Sequence, residues 1–215
     1  MYIPGPFRVD DTARLHAFIE ANSFALLISN DENGPVGSHL PLLLRRDENR
    51  LIGHMARENG QWRSADGTDV MVVFSGPHGY ISPSWYAEPN VVPTWNYVAV
   101  HANGTFRVVN DRAHHLRIVQ DTVAYYEGGM AHPWSADWSS AYIDRLLDQT
   151  VAFEIDLKRL EGKWKLGQNH SINRRERVVE ALRASSSQAD HALAGLINET
   201  IPANPASSGV ASGTN

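Results

Sequence analysis

Seven short apolar runs follow one another at close spacing along this chain of 215 residues, with one full-length helical stretch among them. That spacing constrains the fold more than any other feature. A doubly wound parallel sheet needs a crossover helix after nearly every strand, and the sequence leaves no room for those helices. FALLIS (24–29), VGSHLPLLL (36–44), RLIGHM (50–55), DVMVVF (69–74), TWNYVAVH (94–101), TFRVVN (105–110) and VAFEIDL (151–157) read as strands. Ala102-Asn103-Gly104 predicts a hairpin turn between two of them. Pro41 cannot donate to a ladder, so its strand needs an edge or a bulge there.

The helices are fewer. Asp10 or Asp11 caps one that reaches about Asn22, and Asp111 caps the long one through Glu127. A Trp-rich connector, HPWSADWSS, enters a short helix at AYIDRLLDQ, and a basic helix spans Ile172 to Ala184. A weaker helix is expected in SSSQADHALAGLINET. The pattern predicts a mainly β (α+β) domain over 1–185, a small antiparallel barrel with peripheral helices. Residues 186–215 are expected to add a C-terminal helix and a partly disordered polar tail.

Composition excludes several classes of function. With 24 acidic and 19 basic side chains the net charge is -5, so nucleic-acid binding by overall charge is not expected. Cysteine is absent, which removes disulfides, thiolate metal sites and thiol nucleophiles. The N-terminal MYIPGPFRVDD lacks the basic and apolar regions of a signal peptide, and no apolar run is long enough for a membrane span. A cytoplasmic location is the expectation.

One stretch departs from ordinary turn composition. FSGPHGYISPSWY (74–86) places His78, Tyr80, Trp85 and Tyr86 between Gly76-Pro77, Gly79 and Pro83. Proline stiffens such a segment and glycine permits positive φ, so a loop of fixed shape is expected. Large aromatics there, with Trp95 and Tyr97 nearby, suit a subunit interface or the wall of a ring-binding site. A lid over the chain's own core is the alternative reading.

Taken together, MYIPGPF, SHLPLLL, GHMAREN with the following QW, FSGPHGYISPSWY, VPTWNYVAVHANG and FEIDLKRLEGKWKLGQN resemble the PaiB-like family, described as FMN-binding negative transcriptional regulators. The resemblance covers 1–184. It implies the FMN-binding split β-barrel, related to pyridoxine phosphate oxidases, in which two subunits pair and hold flavin at their interface. The chain departs from the family pattern at Gly79, where Ala is usual, at Gly167, where Ser is expected, and at His170, where Arg or Lys is expected.

FMN requires compensation for a phosphate dianion, polar partners for the pyrimidine edge and flat walls for the ring. Neither G-x-G-x-x-G nor G-x-x-x-x-G-K-[ST] occurs, so side chains at strand ends must hold the phosphate. Arg57 offers a bidentate fork at the end of the segment His54-Met55-Ala56, with Asn59 beside it. By analogy with split barrels, His39-Leu40-Pro41-Leu42 lays its backbone along the ring. Asn96, Lys165, Gln168 and Asn169 close the site from a second segment or from the partner subunit. Other readings stay open: Arg57 as a solvated loop residue, His39 and His54 as core histidines, Pro41 as an edge marker, Gln168-Asn169 as a turn.

The remaining signals are weaker. No H-E-x-x-H occurs and His114-His115 point to different helix faces, so no metal is expected. Haem is an alternative cofactor, with His170 or His191 as the axial ligand. Catalytic residues stay unassigned, with His78 and Tyr80 the nearest candidates for an acid or base. NRRERVVEALR (173–183) is a basic amphipathic helix whose simplest reading is a solvated face, and no helix-turn-helix accompanies it. The sequence is read as a homodimeric FMN-binding regulator. A flavin-dependent oxidoreductase and a haem-binding or haem-degrading barrel are the alternatives.

Overall fold

A computed structural model describes residues 1–202. In chain order the strands are β1 (Arg8–Val9), β2 (Phe24–Asp31), β3 (Gly34–Arg45), β4 (Arg50–Ala56), β5 (Asp69–Ile81), β6 (Thr94–Val108) and β7 (Thr150–Lys165). The helices are α1 (Thr12–Ala21), α2 (Gln61–Ala65), α3 (Arg112–Glu127), α4 (Ala141–Asp148), α5 (Ile172–Arg183) and α6 (Gln188–Glu199). The strands lie in the order β1-β7-β4-β3-β2-β5-β6, and a further β7–β6 pairing closes the sheet on itself. The ladders β1–β7, β2–β3, β2–β5, β3–β4 and β4–β7 are all antiparallel. This pairing closes the ring β7-β4-β3-β2-β5-β6, and closure is one way a small antiparallel sheet limits pairing with strangers. The expected mainly β barrel with peripheral helices is what the chain forms.

Helix starts follow the short polar side chains. Asp11 accepts from the amides of Ala13 and Arg14 at 2.9 and 3.3 Å, and Asp111 from that of His114 at 2.7 Å. Ser140, Ser171 and Ser187 cap α4, α5 and α6 in the same way. Each such cap stabilises its helix by about 1 kcal/mol.

Two compact units divide the chain. The first comprises Met1–Ile3, Arg8–Gly76 and Ala99–Lys163, and the second Pro4–Phe7, Pro77–Val98 and Trp164 onward. In the first unit the barrel interior is filled by Leu27, Leu42, Leu51, Val72, Phe74, Phe106 and Phe153, all inaccessible to solvent. Phe106 and Phe153 stack with centroids 4.6 Å apart. Outside the barrel, Leu43, Ile52 and Ala152 pack under Ile118 of α3. β7 is therefore buried on both faces from Val151 to Ile155, and its inner and outer positions do not alternate in polarity as an exposed strand would. In the second unit Val178, Val179 and Leu182 of α5 and Leu193, Ala194 and Ile197 of α6 are buried. The expectation for the tail, from 203 onward, lies outside the described residues.

Two local expectations are corrected and a third is met. Asn103-Gly104 makes no turn: Thr94–Val108 is one strand. A Cβ on Gly104 would lie 2.4 Å from the backbone oxygen of Asp156, so this glycine is where β6 comes against β7. FSGPHGYI is not a loop either, because β5 runs on to Ile81; the turn is confined to a 3-10 segment at Pro83–Tyr86. The expectation for Pro41 is met, because from 34 to 41 β3 has a ladder on its β2 side alone among the described residues. Pro41 opposes Phe24 of β2, and the β4 ladder begins one residue later, at the Leu42–Gly53 pair. The missing N–H falls where the second ladder has not yet begun.

Candidate functional site

A polar cavity lies within the second unit and measures about 380 Å3, inside the usual range for small-molecule sites. Three of the four residues expected from the second segment line it: Asn96, Lys165 and Asn169. Lys165 ends β7 and donates to Thr94 Oγ1 at 2.5 Å, which leaves two ammonium N–H groups. The fourth, Gln168, has a structural task. Its Oε1 accepts from the Leu166 amide at 2.8 Å and its Nε2 donates to Trp164 O at 2.7 Å, shaping the turn after β7.

The same cavity contains residues outside the expected set. Arg174 sits one turn after His170, and its guanidinium donates to His170 Nδ1 at 3.1 Å and to the Glu88 carboxylate. It also lies over the Tyr86 ring at 4.9 Å. The Arg174 Nε is buried without a partner among the described residues. Hydrogen bonding to Arg174 holds the Glu88 carboxyl below its ordinary pKa, while burial, then the Arg174 charge, holds His170 below its own. Gly167 has φ +82°, a conformation natural to glycine and strained for the expected serine. Lys165, Arg174 and Glu88 together leave one net positive charge, with Asn96 and Asn169 as neutral polar partners. That donor set fits a phosphate or the electron-rich edge of a flavin.

The other expected residues lie in the first unit. His39 is exposed and packs against Phe24 with ring centroids 6.1 Å apart. Leu40 and Pro41 are half-buried, whereas Leu42 and Met55 are core residues at 0% and 2% exposure. From 34 to 41, β3 has a ladder on its β2 side alone among the described residues. Ala56 and Arg57 are exposed, and Asn59 is half-buried. Arg57 Nε and Nη2 donate to the carbonyls of Asp148 and Thr150 at 2.6 and 2.8 Å, so two sides of its fork tie the α4–β7 junction. Asn59 Nδ2 donates to Ser38 Oγ at 2.8 Å and its Oδ1 accepts from the Gln61 amide at 3.1 Å. Gln61, 3% exposed, donates in turn to Ser29 Oγ and Val36 O at 3.0 and 3.1 Å. Ser38 and Gln61 fix this segment, although only the quoted SHLP and QW motifs drew attention to their neighbourhood. His54 is turned to the layer of α3 and α4 rather than to the β3 backbone.

The aromatic stretch divides in two. Tyr86 is buried at 3% and Trp85 is half-buried, but Tyr80 and Trp95 are 47% and 55% exposed and meet edge-to-face at 6.1 Å. His78 lies 6.4 Å from the same Trp95 ring. On α5, Arg174 is engaged as described, Arg175 donates to Thr200 O at 2.6 Å, and Arg177 to Tyr86 O. His191 Nε2 donates to Ser185 O at 2.7 Å. Among the described residues no helix is long and apolar enough to cross a membrane.

Comparison with known proteins agrees with this arrangement. Residues 1–159 match the family described as "Putative FMN-binding domain". The protease synthase and sporulation protein PAI 2 of Bacillus subtilis is 32% identical over 207 residues, covering 94% of this chain and 98% of that protein. Among solved structures, the flavocytochrome Anf3 of Azotobacter vinelandii superposes with a TM-score of 0.60 at 13% identity, over 74% of this chain and 69% of that one. The FAD and heme binding protein of Mycobacterium smegmatis gives 0.59 at 16% identity over 74% of each chain. At such identities the last two establish the fold alone.

Proposed function

The chain belongs to the PaiB-like FMN-binding family, and on that premise we propose that it works in the cytoplasm as a homodimeric flavoprotein in negative control of gene expression. The observation that carries the reading is the cationic cavity of the second unit. Lys165 keeps two donors beside Asn96, Asn169 and the guanidinium of Arg174, a set suited to the anionic end of FMN. In the first unit, the β3 stretch 38–41 offers backbone groups outside the β4 ladder, with Asn59 and the remaining Nη1 of Arg57 at hand. When bound, FMN supplies electron or hydride transfer. The chain's part is to neutralise the phosphate, hold the polar edge of the ring and shield it from water.

Control of transcription by direct groove reading finds little support, because three of the four arginines of α5 already donate to neighbours in their own unit. The regulatory role is better served by flavin chemistry, which makes a flavin-dependent oxidoreductase acting on a small molecule the second reading. The homodimer rests on the exposed pair Tyr80 and Trp95, since aromatic anchors are concentrated at the centres of subunit interfaces.

Lys165→Ala is the test. Removing one charge-assisted partner of a phosphate corresponds to about 1.5–3 kcal/mol, so FMN affinity is expected to fall at least about tenfold. Flavin absorbance after gel filtration reads it. Arg57→Ala is expected to lower the melting temperature more than the flavin content, because its fork holds backbone carbonyls. The reverse pattern would move the phosphate to Arg57. A promoter-fragment titration at graded salt should show no steep salt dependence; a steep, sequence-selective one would reinstate DNA contact.

A further inference from the structure

Helix α5 begins with the charge that its end disfavours. Free backbone N–H groups give a helix N-terminus a partial positive charge, so acidic side chains suit the first turn and basic ones do not. The first turn of α5 carries no acid and holds Arg174 and Arg175, with His170 just before it and Arg177 just after. Arg175 and Arg177 donate to the uncharged carbonyls of Thr200 and Tyr86. Glu176 is exposed and enters no ion pair among the described residues. The carboxylate that does meet this cluster comes from another segment: Glu88 accepts from Arg174 Nη2. Hydrogen bonding to Arg174 keeps Glu88 ionised at neutral pH.

Glu88 belongs to no helix or strand. It lies in the segment 87–93, between the 3-10 turn at Pro83–Tyr86 and β6, where Ala87 and Asn90 take φ of +51° and +57°. Such a backbone is uncommon for a residue with a Cβ and persists where contacts hold it. Asn90, Val91, Val92 and Pro93 of the same segment wall the polar cavity of the second unit, as do Lys165 and Arg174. Arg174 is thus a wall residue whose Nη2 is engaged by a carboxylate from the strap.

The strength of that engagement decides what it can do. The side chains of Arg174 and Glu88 are 21% and 37% exposed, and ion pairs so open to water are weak and exchange readily. A phosphate dianion brings more charge and a pair of oxygens matched to the guanidinium fork, so it is the stronger partner. We propose that Glu88 is a built-in competitor for the phosphate of the cavity's ligand: Arg174 exchanges the carboxylate for the phosphate on binding, and Glu88 sets how strongly FMN is preferred over its unphosphorylated form. The competition keeps bound FMN exchangeable with solution. This inference rests on the cavity being the flavin phosphate site.

FMN and riboflavin differ by the phosphate alone. Each is titrated into the purified full chain, freed of any flavin it carries, with flavin fluorescence as the readout. Glu88→Gln should bind FMN about fivefold tighter and riboflavin within about twofold of the unaltered chain, the gain expected when an exposed ion pair no longer competes. In an Arg174→Ala background the same substitution should change FMN affinity by less than about twofold, because the carboxylate acts through this guanidinium. FMN affinity unchanged or weakened in Glu88→Gln, an equal gain for riboflavin, or a gain that persists without Arg174 would each overturn the inference. Lys165→Ala separates it from the reading beneath it. If that variant leaves FMN binding unaltered, the cavity is not the phosphate site and both fall; if it weakens FMN while Glu88→Gln does not tighten it, the competitor role alone falls. Where Arg174→Ala does not fold, the FMN-to-riboflavin ratio in Glu88→Gln decides.

Discussion

Gly104 shows how one missing Cβ can set the path of a strand. Read locally, Asn103-Gly104 is turn chemistry; in the barrel it is the place where β6 meets the backbone of Asp156 and the side chain of Ile155. A methyl group there has nowhere to go, since the nearest atom is a backbone oxygen that moves only with its strand. Gly104→Ala should therefore cost about 2–3 kcal/mol, read as a lower midpoint in urea denaturation. Gly167 is the contrasting case. A side chain there would meet nothing closer than 3.6 Å, yet φ is +82°, so Gly167→Ser should cost roughly 1–2 kcal/mol through the backbone alone. His115 adds a titration. Burial, then the neighbouring His54 and Arg112, lowers its pKa from 6.5 to about 4, so between those values the unfolded chain binds a proton that the folded chain refuses. Stability is thus complete above pH 6.5 and is lost as pH falls toward 4. His54, His101 and His170 are shifted in the same direction, mainly by burial. Thermal melts from pH 7 to 4.5 should show the fall, on the order of 2 kcal/mol from His115, and His115→Gln should flatten it.

Among the elements, the helices α1, α3, α4 and α5 were legible to within a residue or two, whereas α2 and the strand lengths were not. A helix start is a local event: Asp11, Asp111, Ser171 and Ser187 each bond an amide two or three residues on, and the sequence displays them. Strand length depends on a partner from elsewhere in the chain. β5 continues through Gly76-Pro77 to Ile81, and β7 absorbs LEGKWK after VAFEIDL, against the local turn signals. The extension of β5 is also what displays Tyr80 beside Trp95 of β6. If these two anchor a second copy, Tyr80→Ala with Trp95→Ala should move the protein to monomer by light scattering, while Trp85→Ala, half-buried in its own unit, should lower stability and leave the association state alone. A double variant that remains dimeric would place the interface elsewhere.

At the scale of the whole molecule, close strand spacing and the motifs from MYIPGPF to KWKLGQN were sufficient for the fold class and the family, because both follow from patterns contiguous along the chain. The membership of Asn96, Lys165 and Asn169 in one cavity was also expected, though only through the resemblance. What the sequence by itself determined was therefore local: where helices begin, which runs are extended, and that no glycine cradle exists for a phosphate. Tertiary structure decided which side chains keep donors to offer. It gave Arg57 to two carbonyls, joined Arg174 to the cavity beside Lys165, and left His54 Nδ1 buried without a partner among the described residues. The reason is physical. A side chain's availability depends on partners tens of residues away, and that distance along the chain is closed only when the barrel forms.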